Sequence, residues 1–315
     1  MSVDPQVQAL LDAAARAGRT PVNQLPPVEA RMQFKELRKA LLPPTPEIGS
    51  VSNFDVKGRR GAIPVRHYRP VGKNANDVLS ALVYFHGGGW VVGDLDTHDA
   101  LCRQLANAGG CAVISVDYHM GPEDKFPAAV DDAEDVVRYV AANGATLKID
   151  AARVAVGGDS AGGNLSAVVA MICRDSGGPA IKFQLLIYPG TDMAMEHPSH
   201  HSFAQGYNLT RDMMLYFRGH YLNNLAENKD WRASPLLAQS HANLPAAFVI
   251  TAGFDPLRDE GKEFSDKLAA AGNKVRYHCY EGMIHGFMTM SGVLRVANEA
   301  IADCGQELRT HLSSL

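Results

Sequence analysis

Short apolar runs alternate along most of the chain with longer segments whose apolar residues recur at helical spacing. Five runs are almost continuously apolar and end in Gly, Pro or Asp: "ALVYFHGGG", "CAVISVDY", "RVAVGGD", "FQLLIYPG" and "AFVITAGFD". Strands covered on both faces have this pattern, whereas "IPVRHYRP" alternates with period two, as a half-exposed strand does. The segments between them, such as "DTHDALCRQLANAGG" and "AAVDDAEDVVRYVAANG", end in a glycine suited to a helix C-cap. This alternation predicts an α/β fold, a mostly parallel central sheet flanked by helices.

Two segments depart from the alternation. Residues 1–50 begin with an amphipathic helical pattern and become proline-rich at "LLPPTPEIG", and residues 192–230 centre on "NLTRDMMLYFRGHYL". Neither contains a strand-like run. We therefore predict a helical cap, built from 1–50 and 192–230, over a catalytic domain of 51–191 and 231–315. Ligands of open α/β sheets bind beyond the carboxyl ends of the strands, where such a cap would lie.

Composition excludes several classes of partner. The 315 residues are 46% hydrophobic and 20% charged, as in a globular protein with a sizeable core. The formal net charge of −4 leaves no basic surface for nucleic acid and no polybasic stretch for an anionic membrane. No apolar run approaches the roughly 20 residues of a membrane span. We expect neither nucleic acid nor membrane as a partner.

The cysteines and the N-terminus indicate a reducing compartment. The five cysteines form no C-x-x-C pair and are odd in number, which favours free thiols over a disulfide framework or a zinc site: Cys102, Cys111, Cys173, Cys279 and Cys304. The first 20 residues lack the basic head and apolar core of a signal peptide. We expect a cytoplasmic protein without metal or cofactor.

A serine between glycines carries the first sign of chemistry. Gly158-Asp159-Ser160-Ala161-Gly162 matches G-x-S-x-G and lies between the strand-like "RVAV" and the helical "LSAVVAMICRD". In that context the motif marks a sharp turn that exposes the serine hydroxyl above a sheet. Glycines are needed there because side chains would collide in so tight a bend. Ser160 is the candidate nucleophile.

A serine nucleophile needs a base, and the base needs an acid to orient it. His285 in "GMIHGF" follows the alternating strand pattern "VRYHCYEG". Asp255 follows the strand "AFVITAGF" and precedes a proline that starts a new element, so it is the favoured acid. Asp259, Glu260 and Glu281 remain alternatives for the acid.

Acyl transfer also needs donors for the negative charge that develops on the carbonyl oxygen. The stretch "YFHGGGW" follows a strand, and its successive glycines allow backbone N–H groups to converge on one point. We predict an oxyanion hole formed by the N–H groups of Gly88, Gly89 and Ala161.

These motifs together resemble the hormone-sensitive lipase family of α/β-hydrolases, in its bacterial esterase branch with GDSAG. The resemblance runs from about Phe54 to the C-terminus in "HGGGW", "VDYHMGPEDKFPAAVDD", "GDSAGGN", "YPGTD", "DPLRDEG" and "HGF". It implies the α/β-hydrolase fold with a helical cap, and an esterase in which Ser160 attacks, His285 transfers protons and Asp255 orients His285. It also implies no metal or cofactor, a small-molecule ester as substrate, and a possible homodimer.

The chain departs from the family pattern at one segment. His119-Met120-Gly121-Pro122-Glu123 stands where the family usually has Arg-Leu-Ala-Pro-Glu, and Asp124 stands where a histidine is common. We expect this segment to support the site without reacting. Asp159, where some relatives have threonine, assigns the chain to the GDSAG branch.

The substrate pocket is expected to combine residues of the sheet edge and of the cap: Trp90, Tyr188, Ile284, Met213, Met214 and Phe217. The three residues from 213 onwards are equally consistent with the cap's own core, because an apolar stripe at helical spacing usually packs. The resemblance favours short to medium acyl chains.

Three other functions remain for comparison. An amidase or thioesterase would use the same triad, because the fold hosts several chemistries. A non-catalytic ligand receptor is disfavoured because all three triad positions are filled. An aspartate-nucleophile hydrolase is disfavoured because a serine stands at the turn.

Overall fold

One sheet of eight strands lies at the centre of the computed structural model, which describes residues 2–313. The strands are β1 (Ser50–Lys57), β2 (Ala62–Arg69), β3 (Leu79–Phe85), β4 (Ala112–Val116), β5 (Ile149–Asp159), β6 (Phe183–Ile187), β7 (Ala246–Phe254) and β8 (Val275–Ile284). Their order across the sheet is β1-β2-β4-β3-β5-β6-β7-β8. Strand β2 is antiparallel to both neighbours, and the other pairs are parallel.

The helices connect the strands and form the segments above them. They are α1 (Pro5–Ala17), α2 (Pro27–Lys39), α3 (Asp99–Gly109), α4 (Ala128–Ala142), α5 (Gly144–Leu147), α6 (Ala161–Asp175), α7 (Pro198–Ser202), α8 (Arg211–Tyr221), α9 (Arg258–Ala270) and α10 (Arg295–Leu312). Short 3-10 helices cover Val22–Gln24, Leu225–Lys229, Pro235–Leu237 and Phe287–Thr289.

Helices cover both faces of the sheet, which explains the continuous apolar runs in the sequence. Helices α4, α6 and α9 pack in one buried cluster and α3 and α10 in another, with strand residues between them. Side chains of a strand alternate between faces, so a strand buried on both must be apolar at successive positions. The predicted α/β sheet is confirmed, and each of the five apolar runs overlaps one of the strands β3–β7.

Two local features differ from the sequence prediction. Strand β1 was not predicted, because its residues at the edge of the sheet are mostly exposed and carry no buried pattern. Helix α3 ends, as expected, at a glycine in left-handed conformation, Gly110 with φ 62°. The glycine cap predicted for α4 is wrong: Asn143 occupies the C-cap with φ −109°, and Gly144 begins the short helix α5.

The N-terminal and middle segments pack together above the sheet. A third buried cluster joins them to the loop after β3 and to Leu257: Val22, Ala30, Val91, Val92, Leu209, Phe217 and Leu257. Both segments are helical. Among the described residues of 1–50 and 192–230, only Ser50 belongs to a strand, because β1 begins there. The division into a cap and a catalytic domain stays a prediction.

Arg31 links helix α2 to the loops that follow β3 and β4. Its guanidinium donates to the carbonyls of Val91 at 2.8 Å and Gly121 at 2.9 Å. It also forms a two-pronged pair with the Glu123 carboxylate, at 2.8 and 2.6 Å. A planar guanidinium suits such a fork and holds both loops in one geometry.

We predict that Arg31→Met lowers the free energy of unfolding by about 1–3 kcal/mol, because two backbone carbonyls and a carboxylate lose their donor. Urea denaturation measures the change. Lys39→Met is the matched control, since Lys39 on the same helix pairs, among residues 2–313, only with exposed Glu36. This substitution should change stability by less than about 0.5 kcal/mol. Equal effects of the two substitutions would contradict this role of Arg31.

Candidate active site

Ser160 lies on a strained turn between β5 and α6. Its φ of 55° and ψ of −116° are rare for a residue with a side chain, and such strain clusters at functional sites. A β-carbon on Gly158 would lie 2.3 Å from the carbonyl oxygen of Phe85, and one on Gly162 only 1.8 Å from it. The flanking glycines therefore allow the turn to pack against the end of β3.

Ser160, His285 and Asp255 form one hydrogen-bonded chain. His285 Nε2 lies 2.9 Å from Ser160 Oγ, and His285 Nδ1 lies 2.7 Å from Asp255 Oδ2. A carboxylate only accepts hydrogen bonds, so Nδ1 carries the proton and Nε2 is free to accept the serine proton. The structure thus brings together the three residues singled out from the sequence.

Sheet order explains how the base meets its acid. Asp255 directly follows β7 and His285 directly follows β8, and these strands are parallel neighbours. Asp255 is fully buried, and its other oxygen, Oδ1, accepts from the Leu257 N–H at 2.8 Å. The carboxylate is thereby fixed in orientation as well as position.

The three alternative acids lie in other contacts. Asp259 accepts from the Ser199 N–H at 2.9 Å. Glu260 is buried, accepts from the Thr191 N–H and lies 2.7 Å from His200 Nε2. Glu281 is exposed on β8. None of them hydrogen-bonds His285, so the geometry favours Asp255.

The loop after β3 presents free backbone donors beside this chain of side chains. Gly88 and Gly89 have φ values of 128° and 60°, which favour glycine. A β-carbon on Gly88 would lie 1.9 Å from the Val92 carbonyl oxygen, and one on Gly89 2.3 Å from the Phe217 ring. Within residues 2–313 the N–H groups of Gly88, Gly89 and Ala161 donate to no protein acceptor. The predicted oxyanion donors are therefore available.

The buried carboxylate of Asp159 connects this loop to the serine turn. Its Oδ1 accepts from Tyr84 Oη at 2.8 Å and from the Gly87 N–H at 2.9 Å, and His98 Nε2 lies 3.2 Å away. Burial disfavours the ionised form, but His98, Tyr84 and the more distant Arg38 outweigh it and hold the pKa of Asp159 below its ordinary value. Asp159 thus holds the glycine loop next to the serine turn. From the sequence it was interpreted only as a mark of the GDSAG branch, and this contact was not predicted.

His86 and Tyr118 support the same loop. His86 Nδ1 donates to the Gly87 carbonyl at 2.8 Å, and Tyr118 Oη donates to the His86 carbonyl at 2.7 Å. Burial, with a smaller contribution from His98, lowers the pKa of His86 to about 4, so the ring is neutral near pH 7. The loop is held by hydrogen bonds from several sides.

The segment 119–123 also contacts the glycine loop. The Gly121 N–H donates to the Trp90 carbonyl at 2.8 Å, while His119 Nδ1 lies 2.6 Å from buried Asp132. Glu123 pairs with Arg31. The segment that departs from the family pattern therefore supports the loop, as the sequence suggested.

The expected pocket residues divide into two groups. Trp90, with φ 58°, stacks on Tyr221 at 4.3 Å between ring centroids, and Phe217 packs against Gly89. Met213 and Met214 are half-buried against the third buried cluster, which contains Phe217. Tyr188 and Ile284 are instead fully buried in the core, although the Tyr188 ring lies 4.7 Å from that of His285. The pocket role of Ile284 stays a prediction.

Residues 2–313 contain neither a helix suited to a membrane nor a cluster suited to a metal ion. No helix in this range is long and apolar enough to cross a membrane. No group of three or more His, Cys, Asp or Glu side chains in the same range is arranged so that it could hold a metal ion. The five cysteines are free thiols, four of them buried and Cys279 half-buried.

Comparison with known proteins places the chain in a family. Residues 82–289 match the family model described as alpha/beta hydrolase fold. The chain is 42% identical over 298 residues to the carboxylic ester hydrolase LipN of Mycobacterium tuberculosis, covering 91% of this chain and 77% of LipN. It is 36% identical over 318 residues to the ethyl acetate hydrolase of Pseudomonas putida, covering 99% and 100%.

A solved structure extends the likeness to the whole fold. The ester-hydrolase EH1AB1 from the metagenome of Lake Arreo, complexed with a derivative of bipyridine phosphonate, superposes with a TM-score of 0.95. The two are 42% identical, and the match covers 99% of this chain and 100% of that one. The predicted fold class and family are confirmed: the chain belongs to the α/β-hydrolases, in the hormone-sensitive lipase group of esterases.

Proposed function

We propose that this protein is a serine carboxylic ester hydrolase acting on esters with short to medium acyl chains. The observation that carries the proposal is the Ser160–His285–Asp255 hydrogen-bond chain beside three unused backbone N–H groups. Such an arrangement suits acyl transfer, because it offers a nucleophile, a base and a site for the developing oxyanion. The ester hydrolases to which the chain is similar support this reaction.

The proposed reaction has two steps. Ser160 Oγ attacks the acyl carbon as His285 Nε2 takes its proton, and His285 then donates that proton to the departing alcohol. Water then attacks the acyl carbon as His285 takes its proton, and His285 returns that proton to Ser160 Oγ as the acid leaves. In both steps the carbonyl oxygen becomes negative, and the N–H groups of Gly88, Gly89 and Ala161 stabilise it.

Asp255 acts through His285. Its buried carboxylate holds Nδ1 protonated, which directs the Nε2 lone pair to the serine, and it stabilises the imidazolium that forms during attack. Because Asp255 Oδ1 is also bound by a backbone N–H, the acid is positioned before substrate arrives.

Trp90, Phe217, Met213 and Met214 are the proposed apolar contacts of the substrate, with Tyr188 behind His285. Their packing on the glycine loop would limit the length of chain that fits above Ser160. We also propose a cytoplasmic location, which the free cysteines support. A homodimer remains a proposal from the family resemblance.

We predict that wild-type protein hydrolyses p-nitrophenyl esters with a maximum between acetyl and octanoyl, and that Ser160→Ala falls to the background rate with its unfolding midpoint retained. Initial rates across the series from acetyl to palmitoyl provide the measurement. A p-nitroanilide and a thioester of the preferred acyl group serve as comparison substrates. Preference for either of them over the ester, or activity in Ser160→Ala, would contradict the proposal.

We predict that Asp255→Asn lowers kcat by about 10²–10⁴-fold, because the amide favours the wrong tautomer of His285. Glu281→Gln is the matched control, since it is also a carboxylate-to-amide change close to His285 in sequence, but on an exposed side chain. Steady-state kinetics on the best ester compares the two. A larger loss in Glu281→Gln would show that Asp255 is the wrong acid.

We predict that Asp159→Asn lowers kcat by about 10- to 100-fold with little change in KM, because the loop that carries the oxyanion donors loses its charged anchor. Tyr84→Phe, which removes only one of the hydrogen bonds to Asp159, should lower kcat less. Kinetics on the same ester separates kcat from KM. A rise in KM at unchanged kcat would indicate substrate binding in place of transition-state stabilisation.

A further inference from the structure

Three cations share one face of helix α2, at positions 31, 35 and 38. Spacings of four and seven residues bring side chains to the same face of a helix. Arg31 pairs with Glu123 at 2.6 Å, and Lys35 Nζ lies 2.8 Å from carboxylate oxygens of both Asp94 and Asp96. Arg38 forms no ion pair with any carboxylate in residues 2–313.

The unpaired guanidinium lies beside the proposed base. Arg38 Nη1 donates to Thr289 Oγ1 at 2.5 Å, and its central carbon lies 4.7 Å from the centroid of the Phe34 ring. A β-carbon on Gly286 would lie 3.2 Å from Nη2 and 3.7 Å from Nη1. Gly286 is the residue directly after His285, so the guanidinium borders the loop that presents the imidazole.

The hydrogen bonds of Arg38 do not use its donors fully. A guanidinium has five N–H groups, and only Thr289 accepts from this one among residues 2–313. The cap contributes a second polar group at the same place, because Asn208 Nδ2 donates to the His285 carbonyl at 2.9 Å and lies next to Gly286. The cap therefore meets the His285 loop through polar groups, with donors of Arg38 left over.

Arg38 is half-buried between helix α2 and the loop after β8. Burial lowers its pKa, and the nearby Tyr188 and Asp159 offset that effect only in part. Asp159 is not its ion-pair partner, because the basic side chain within ion-pair distance of that carboxylate, among residues 2–313, is His98, 3.2 Å away. Because Arg38 is partly exposed and its unused N–H groups are not among the buried polar atoms without a partner, an anion can reach them, and a cation without a carboxylate partner gains from such an anion.

We propose that Arg38 is a carboxylate-binding subsite, which selects esters that carry a negatively charged group in addition to the ester bond. The planar fork of a guanidinium matches a carboxylate with two parallel hydrogen bonds, which gives direction as well as charge. The proposal rests on the proposed ester hydrolase function. It deepens that function by naming a substrate class, the half-esters and acyloxy acids.

The carboxylate has two possible sources in such a substrate, the acyl part or the alcohol part. Monoethyl succinate carries it on the acyl side, and 3-acetoxypropanoate carries it on the alcohol side. Each has a neutral counterpart of nearly the same shape, ethyl levulinate and 4-acetoxybutan-2-one. The ratio of kcat/KM between the charged and the neutral ester isolates recognition of the charge from all other effects.

The test compares these ratios in wild type, Arg38→Met, Arg38→Lys and Lys39→Met, by titrating released acid at constant pH. We expect Arg38→Met to lower the ratio about tenfold or more for one of the two pairs, mainly through KM of the charged ester. Arg38→Lys should retain part of the ratio, because it keeps the charge and loses the fork. Lys39→Met removes an exposed cation of the same helix and should leave the ratio at its wild-type value.

The outcomes distinguish failure of the subsite proposal from failure of the proposed ester hydrolase function. Equal loss on charged and neutral esters in Arg38→Met would overturn the proposal and leave Arg38 as a fastening of the cap. An equal fall of the ratio in Lys39→Met would also overturn it, because the effect would then be general electrostatic attraction. Hydrolysis of neither neutral ester by wild type would instead contradict the proposed function. The pair whose ratio falls identifies the side of the ester that carries the carboxylate.

Discussion

The site depends on the contact between the ends of two neighbouring parallel strands, β3 and β5. Gly158 and Gly162 allow the serine turn after β5 to pack against the Phe85 carbonyl at the end of β3. In the same place the Asp159 carboxylate, one residue before the serine, binds the first N–H of the glycine loop after β3. The nucleophile and the proposed oxyanion donors are thereby fixed relative to each other by backbone contact and one buried charge, before any substrate is bound.

Sheet order supplies the remaining parts of the site. Because β7 and β8 are neighbours, the residues just beyond their ends lie close together. Asp255 and His285 therefore come within hydrogen-bond distance without help from another element. The energetic difficulty lies in burying charges at this edge. Asp255 and Asp159 are both fully or almost fully buried, and each is surrounded by N–H or O–H donors that replace lost water. A buried carboxylate whose hydrogen bonds are satisfied costs less free energy than one without partners. Its fixed position also keeps the geometry of the site constant.

The sequence predicted the parts of this site that are local in the chain. The buried strands, the serine turn, the glycine loop and the order of Ser160, Asp255 and His285 all follow from short patterns with a physical reason. The contacts that span the chain were not predictable in this way: Asp159 with His98, and Arg31 with Glu123, join residues 61 and 92 positions apart. Ile284 shows the limit of nearness in sequence, since it ends β8 directly before His285 and is almost fully buried among core residues. Periodicity reports burial, and it does not report which buried residue faces a cleft.

The predicted cap offers a reason why selection of substrate can vary while the reaction stays constant. Helix α2 is fastened by Arg31 and Lys35, which reach loops on the oxyanion side of the site, whereas Arg38 reaches the loop that carries His285. One helix therefore contacts both the loop after β3 and the loop after His285. None of its side chains belongs to the Ser160–His285–Asp255 chain. If the proposed subsite is right, a substitution on this face changes the charge and shape that meet the substrate and leaves the strand ends untouched. Specificity in such a fold resides in the covering helices, because the sheet below is already committed to holding the reacting groups.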